Sequence, residues 1–423
     1  KLFDKEYGGF GYEIKFPHES YLLLLLEKQL LAYSAKRQEI IDKTLISMAR
    51  GGIYDQIGGG FHRYATDRKW RVPHFEKMLY NQALLAKVYA QAYSLTSNSF
   101  YKNISQNTLN FVLKTLQSPS GTFYSAMDAD KDTQEGFYYL WNEKELINLE
   151  DAKEIYHIDT THELNGKNIL YLSENIEPAR LNKANIALLD IRDKRKNPSI
   201  DKKIITSWNA MMIDSLVVAY KSFAKDEYLQ SALVCAKMIW KNNRKKDGKL
   251  YRVQPYNSKT IAAVQEDYAY LAKSYINLYD VTSDTIWLKR AELLTQKMTI
   301  LFWDNKDWGY FISKSSPLLT QKSKQNKDTE IPSGNAIALE VLTLLHYRTG
   351  EDKYQSLAKK ILSTFSKEMT QHKDKYAYMY LSASNLLNMQ IQNIQYTSHG
   401  NIKIESFFKD SSTIVLHVKM KDG

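Results

Sequence analysis

Apolar side chains recur every three to four residues along most of the chain, with polar side chains between them. This spacing is typical of amphipathic α-helices that each turn one face towards a core. It predicts an all-α fold with eleven helices. Their approximate ranges are 20–33, 37–50, 75–94, 99–117, 207–224, 227–244, 264–281, 285–302, 333–349, 351–368 and 373–390.

A short motif repeats between these helices: a turn residue, usually glycine, followed by alternating aromatic or apolar residues. Such a pattern predicts a small β-hairpin. It occurs at 4–12, 50–55, 120–125, 246–252 and 307–312, and more weakly at 373–378. Helix pairs that alternate with hairpins predict stacked units that bury one another. Six such units close into an (α/α)6 toroid, and we expect the one helix missing from twelve upstream of Lys1.

Two segments depart from the repeat. The largest insertion spans about 131–206 and includes a strand-like run at 136–141. The tail, 391–423, alternates apolar and polar residues, which predicts a small β-rich C-terminal appendage. The toroid is therefore expected to occupy residues 1–390.

Composition narrows the class of protein. Cys235 is the only cysteine, so the chain can form no internal disulfide, and a reducing, cytoplasmic location is expected. No apolar run approaches the roughly 18 residues of a membrane span. The net charge of +11 is scattered, which favours a lysine-rich surface over nucleic-acid binding. Because the chain starts at Lys1, we expect a fragment or a processed form.

Candidate functional side chains are most concentrated at 51–80, a glycine-rich connection between two predicted helices. Long, specifically built loops of this kind tend to be functional. His62 and His74 are candidate general acids or bases, since histidine titrates near neutral pH. Arg63 can clamp a carboxylate or hold a sugar hydroxyl, and Tyr64 lies beside it. The alternative is that one histidine only orients the helix that starts near Pro73.

A second candidate is the pair Asp128 and Asp130, which point to the same face of an extended chain. Two neighbouring carboxylates split their pKa values, which allows an acid and a base. They also suit a hard cation such as Ca²⁺. The plain alternative is a polar hairpin tip, and we predict neither a metal nor a cofactor.

Three further motifs lie at helix starts. Trp208 and Asn209 suit stacking on a sugar ring and hydrogen bonding to its hydroxyls, Asp267 and Tyr268 open the next inner helix, and Asn335 opens a third. The alternatives are core packing for the tryptophan and a favourable helix dipole for the carboxylate. In an α/α toroid these helix ends surround one central funnel. We therefore expect these residues to converge with Arg63, His74, Asp128 and Asp130.

The runs GGIYDQIGGGFHRYATDRKWRVPHFEKMLY, DADKDTQEGFYYLW, KKIITSWNA, EDYAYL and IPSGNA carry a family resemblance. With them the chain, from 15 to about 390, resembles the helical region of the spermatogenesis-associated protein 20 family. That resemblance implies a six-hairpin toroid similar to N-acylglucosamine 2-epimerases and several glycosidases. It also implies an N-terminal thioredoxin-like domain, which these residues do not include.

Two functions follow as hypotheses. The first is a carbohydrate-active enzyme, either a sugar epimerase or isomerase using His74, or a glycoside hydrolase using two of Asp128, Asp130 and Asp267. Its partner would be a small sugar or a glycan. The second is a non-catalytic glycan- or protein-binding module that works with the thioredoxin-like domain. A homodimer is compatible with both, whereas nucleic-acid and membrane partners are not expected.

Overall fold

The computed structural model describes residues 2–131, 134–147, 152–157, 167–172, 176–256, 259–314, 323–391, 395–399, 402–408 and 414–420. Its α-helices are α1 Glu19–Leu31, α2 Ala35–Arg50, α3 Leu79–Thr96, α4 Ser99–Phe111, α5 Glu143–Ile147, α6 Ala152–Ile155, α7 Pro178–Arg192, α8 Thr206–Phe223, α9 Asp226–Asn242, α10 Gln265–Thr282, α11 Thr285–Phe302, α12 Gly334–Thr349, α13 Asp352–Gln371 and α14 Ala377–Ile391. A π-helical turn, Val112–Leu116, extends α4, and a 3-10 turn, Lys373–Lys375, precedes α14.

The strands are short apart from one hairpin and the tail. They are β1 Tyr64–Ala65, β2 Pro73–His74, β3 Lys77–Met78, β4 Ala126–Met127, β5 Asp130–Lys131, β6 Gln134–Glu135, β7 Tyr156–His157, β8 Tyr171–Leu172, β9 Ile200–Asp201, β10 Tyr251–Tyr256, β11 Lys259–Ala262, β12 Gln395–His399, β13 Ile402–Phe408 and β14 Ile414–Met420. The tail strands form an antiparallel sheet in the order β12-β13-β14, in agreement with the predicted β appendage.

The helices form two layers. In the inner layer α1, α3, α8, α10, α12 and α14 pack side by side, and α14 packs against α1 to close the ring. In the outer layer α2, α4, α9, α11 and α13 each pack on the inner helix that precedes them. This arrangement is the predicted (α/α)6 toroid. Since each outer helix runs back along its partner, the inner helices all start at the same face of the ring.

Burial explains which helices lie inside. Most residues of α3, α8 and α10 are buried, whereas α13 buries a single stripe. A helix that is buried on nearly all sides needs neighbours all around, and a striped helix needs neighbours on one side only. The stripe of α13 has helical spacing and consists of Tyr354, Ala358, Ile361, Phe365 and Met369.

The inner ring also encloses matched charges. Lys87 Nζ lies 2.8 Å from Asp214 Oδ2, and Lys273 Nζ lies 2.9 Å from Glu340 Oε2 and 3.7 Å from Asp214. The four residues belong to α3, α8, α10 and α12. Buried charges are tolerated when each finds an opposite partner, so this network fixes how four inner helices face one another.

The predicted hairpin motifs form a tight turn closed by one β-bridge. The bridges pair Phe3 with Phe10, Tyr54 with Phe61, Gln117 with Phe123, Arg244 with Leu250, and Trp303 with Tyr310. The weaker sixth motif is the 3-10 turn before α14. The glycine requirement is clearest at Gly60, where φ is +81° and an added Cβ would lie 2.7 Å from the Phe111 ring.

In three of these hairpins, the backbone of one aromatic residue is hydrogen-bonded to a side-chain amide of the inner helix that follows. Asn209 accepts a hydrogen bond from Phe123 N (2.8 Å) and donates one to Phe123 O (3.0 Å). Asn335 does the same with Tyr310 N (2.8 Å) and O (2.9 Å). Gln82 repeats the arrangement on Phe61, at 2.7 Å to each atom. We call these three pairs of bonds the amide brackets.

Three predictions needed correction. The helix predicted at 75–94 begins at Leu79, because residues 73–78 lie in β2 and β3, and β3 pairs with β4. The run predicted as strand-like at 136–141 forms a turn at 136–139 and contributes Trp141 to a β-bridge, and the same insertion contains α7, which the sequence pattern did not reveal. Among the described residues, the unfilled outer position follows α14, because outer helices follow their inner partners; the hairpin α1–α2 is already complete.

Within the described part of the chain, no helix is both long enough and apolar enough to cross a membrane.

The amide brackets predict a matched pair of variants. Asn335→Ala should lower the free energy of unfolding by about 2–4 kcal/mol, because it leaves the buried N–H and C=O of Tyr310 without partners. Asn305→Ala, at an exposed position in the same hairpin, should change it by no more than about 0.5 kcal/mol. Chemical denaturation measures both. Equal effects of the two variants would contradict a bracket role.

Candidate functional site

A pocket of about 330 Å³ opens at the face where the inner helices start. It lies between the beginnings of α1 and α3 and the segments that lead into α12 and α14. Its lining comes from residues 16–21, Asn81, 328–330 and 374–375. The pocket is therefore built from both ends of the toroid sequence, where the ring closes.

Glu19, the first residue of α1, is buried in this pocket. Its carboxylate accepts a hydrogen bond of 3.1 Å from Asn81 Nδ2. Burial raises the pKa of Glu19 from its usual 4.5 to about 7, and the nearby charge of Glu330 adds to that rise. The preceding residue, His18, has φ +53°, a left-handed conformation that costs energy for a residue other than glycine. This turn directs Glu19 into the pocket.

Asp328 is a second carboxyl group with a shifted pKa. Its two oxygens accept hydrogen bonds from Ser333 N (3.0 Å) and Tyr378 N (2.8 Å), at the starts of α12 and α14. Burial nevertheless raises the pKa of Asp328 to about 7. The pocket thus holds two carboxyl groups that exchange protons near neutral pH.

Glu330 is the third carboxylate in the pocket lining. It forms hydrogen bonds with residues at the edge of the pocket, which we call the rim. Arg63 Nη2 donates to Glu330 Oε1 at 2.7 Å, and the Tyr80 hydroxyl donates to Glu330 Oε2. The Tyr80 ring meets the Trp208 ring edge-on, with centroids 5.0 Å apart. Arg63 and Trp208, both predicted from the sequence, are therefore joined through Glu330 and Tyr80.

His74 and Tyr64 extend this rim. The strands β1 and β2 pair Tyr64 with His74, and their rings stack with centroids 5.2 Å apart. His74 Nδ1 lies 2.8 Å from Glu135 Oε1, while His74 Nε2 and Arg63 Nη1 each lie 3.7 Å from Glu76 Oε2. Arg63, Tyr64 and His74 thus form one continuous polar and aromatic surface.

Asp128 and Asp130 lie beyond His74, and both are exposed. Asp130 pairs with Glu135 across the β5–β6 hairpin, and Glu135 is the residue that contacts His74. The two aspartates therefore neighbour the rim but do not line the described pocket.

Three other predicted site residues, Asn209, Tyr268 and Asn335, are buried within the protein. Asn209 and Asn335 form amide brackets and are fully buried. The Tyr268 hydroxyl accepts a hydrogen bond of 2.8 Å from Leu250 N, which holds the hairpin before α10. Each of these side chains uses its polar atoms to fix the scaffold.

His62 and Asp267 are also buried. His62 Nδ1 donates to Phe75 O at 2.8 Å, and burial, with the nearby charge of Lys77, lowers its pKa to about 3, so the ring is neutral. Asp267 accepts hydrogen bonds from Val264 N (2.9 Å) and Ser207 N (3.2 Å). Burial raises the pKa of Asp267 to about 6. The structure does not bring either residue into the described pocket.

Sequence reasoning missed Glu19, Asn81 and Asp328 as site residues and quoted Glu330 only within a helix-start motif. A carboxylate at a helix start is also what the helix dipole favours, so its pattern carries no distinct signal. Their position was the available signal: Glu19 is the first residue of an inner helix, and Glu330 lies shortly before another, just as Trp208 and Asn335 lie in first turns of inner helices. Within the described residues, no group of three His, Cys, Asp or Glu side chains could hold a metal ion.

Sequence comparison identifies relatives over most of the chain. Human spermatogenesis-associated protein 20 is 32% identical over 426 residues, covering 87% of this chain and 54% of the human protein. An uncharacterized protein of Caenorhabditis elegans is 30% identical over 84% of the chain and 56% of its own length. Over most of its length the chain is homologous to spermatogenesis-associated protein 20. It spans about half the length of these relatives. No family model matches the chain.

Comparison of structures confirms the fold of this homologue. Cellobiose 2-epimerase from Bacillus thermoamylovorans superimposes with a TM-score of 0.59 at 8% identity, covering 86% of this chain and 82% of the epimerase. An unsaturated glucuronyl hydrolase specific for heparin gives a TM-score of 0.55 at 11% identity, covering 91% of each chain. At such identities the likeness shows the toroid fold alone.

The raised pKa of Glu19 predicts a pH dependence of stability. Between pH 4.5 and 7 the unfolded chain loses this proton while the folded protein keeps it, so the free energy of unfolding falls as pH rises. Glu19→Gln removes this contribution. Relative to the wild type, the variant should therefore gain up to about 3 kcal/mol of stability between pH 4.5 and 7.5.

Urea denaturation at several pH values tests this. Glu39→Gln, at an exposed position of α2, serves as the control and should run parallel to the wild type. A Glu19→Gln profile that also stays parallel would show that the Glu19 carboxyl group titrates normally.

Proposed function

We propose that this protein is a carbohydrate-active enzyme whose acid–base chemistry takes place in the pocket at Glu19 and Asp328. The observation that supports it most is the pair of carboxyl groups with pKa values of about 7 facing one cavity. A group with a pKa near the working pH can both donate and accept a proton efficiently.

The surrounding residues suit a sugar. Hydroxyl groups need fixed donors and acceptors, which the Arg63–Glu330–Tyr80 set supplies on one side. Aromatic faces suit the apolar face of a sugar ring, and Phe16 stacks on Tyr64 with centroids 4.8 Å apart at the rim. The resemblance in fold to sugar epimerases and glycoside hydrolases is consistent with this choice but decides no reaction.

Within this proposal His74 remains a candidate for a third proton-transfer group. Asp128 and Asp130 remain candidates for substrate contacts beyond the rim. His74 contacts both Glu76 and Glu135, which orient its ring. A substrate longer than one sugar unit would extend from the pocket across this surface. Asp267, His62, Asn209, Tyr268 and Asn335 support the site as parts of its scaffold.

Two assays separate the reaction types. An epimerase or isomerase moves a proton bound to carbon, so a sugar incubated in D₂O gains deuterium, which NMR detects. A hydrolase cleaves an aryl glycoside and releases a coloured phenol. We expect one of these activities, with Glu19→Gln and Asp328→Asn each lowering kcat/KM by about 10²–10⁴-fold.

The control is Asp352→Asn, a fully exposed carboxylate in the first turn of α13, which should keep the wild-type rate. Sugar binding without turnover in either assay would favour the alternative, a non-catalytic module that presents a glycan to other parts of the full-length protein. That alternative gains weight from the chain's coverage of only about half of its relatives. Absence of both binding and turnover would overturn the proposal.

A further inference from the structure

The pocket has an unbalanced charge. Four carboxylates, those of Glu19, Asp328, Glu330 and Asp374, occur among its lining residues, against the single ammonium group of Lys375. Arg63, outside the lining, pairs with Glu330. When all these groups are ionised, the pocket keeps an excess of negative charge, which favours a cationic ligand.

A separate observation concerns Asn81. Its side chain is buried, and its Nδ2 donates to Glu19. Its Oδ1, however, has no hydrogen-bond partner among the described residues, although the residue lines the pocket. A buried acceptor without a donor costs about 1–3 kcal/mol, so this atom indicates a ligand that brings an N–H or O–H group.

We propose that the pocket recognises the protonated amine of an amino sugar, with its N–H groups directed at Asn81 Oδ1 and at the carboxylates of Glu19 and Glu330. This inference rests on the proposed function for the sugar ring and adds the substrate class. An ammonium group has three donors and no acceptor, which matches the acceptor oxygens of Asn81, Glu19 and Glu330. An N-acylated amine offers one uncharged donor, and a uronic acid adds a repelled carboxylate.

The rings of the pocket fit the same ligand. His18 and Tyr21 stack with centroids 5.0 Å apart, and both line the cavity. An aromatic face beside an ammonium group adds an attractive cation–π contribution. A cation next to Glu19 and Asp328 also favours their ionised forms, so amine binding should release protons below pH 7. The other charged or titratable groups that share this environment are His18, Tyr21, Glu330, Asp374, Lys375, Arg63 and Tyr80.

The test compares three sugars that differ only in the group at the second carbon, and adds a sugar acid that carries a carboxylate at the sixth carbon. Isothermal titration with D-glucosamine, D-glucose and N-acetyl-D-glucosamine, together with D-glucuronate, measures each Kd at pH 7. We expect glucosamine to bind at least about tenfold more tightly than glucose, from one or more charge-assisted hydrogen bonds, and glucuronate most weakly. Repeating the glucosamine titration in buffers of different ionisation enthalpy should show proton release.

Two variants test which residues cause the preference for glucosamine over glucose. Glu330→Gln keeps the shape of a partly exposed side chain and should reduce the preference for glucosamine over glucose to about threefold or less. Asn81→Ala should weaken glucosamine binding more than glucose binding, and its melting temperature reports whether it folds. Asp352→Asn is the matched control and should keep the full preference.

The outcomes separate the two proposals. Equal Kd values for glucosamine and glucose, or tighter binding of glucuronate, would overturn the amine inference and leave a sugar enzyme standing. If ethanolamine binds as tightly as glucosamine, the amine site stands and the sugar assignment fails. If no sugar and no amine binds the folded protein, both proposals fall.

Discussion

The toroid depends on the amide brackets, in which a side-chain amide at the start of an inner helix holds the backbone of the preceding hairpin. Each bracket satisfies the N–H and C=O of one aromatic hairpin residue: Phe61, Phe123 or Tyr310. These groups are buried, so they need partners inside the protein. The brackets thus fix where α3, α8 and α12 begin, and the starts of α3 and α12 border the pocket.

A second interaction, built on an aspartate, recurs in the hairpins. In three hairpins an aspartate N–H bonds the carbonyl of the glycine five residues later: Asp4 with Gly9, Asp55 with Gly60 and Asp304 with Gly309. Each aspartate also pairs with a lysine from the segment that leads to the next inner helix, namely Lys15, Lys77 or Lys324. Burial alone would raise the pKa of Asp55, but Arg192 and Lys77 hold it well below its usual range. Charge and amide contacts therefore join the two helical layers together.

The sequence revealed the scaffold better than the site. Helix periods and the recurring turn are local patterns, so the toroid, its hairpins and the tail strands could all be predicted. Asn209 and Asn335 were predicted as site residues, but their role in the structure is in the scaffold, since the brackets require an amide at those positions. Glu19 and Asp328 are far apart in the chain and sit in ordinary helix-start contexts; only ring closure brings them to one pocket, and only burial shifts their pKa values.

Ring closure also determines when the pocket can exist. Contacts such as that between the Tyr21 hydroxyl and the backbone of Asp374, or Lys28 with Ser384, join residues more than 350 positions apart. During synthesis, residues 16–21 of the lining are made early. The pocket stays incomplete until residues 374–375 follow, when almost the whole toroid has been translated. Contacts of such long sequence separation form late in folding, because the chain between them must be ordered first. The pocket is therefore a property of the finished ring, and a nascent fragment that lacks α14 does not have it.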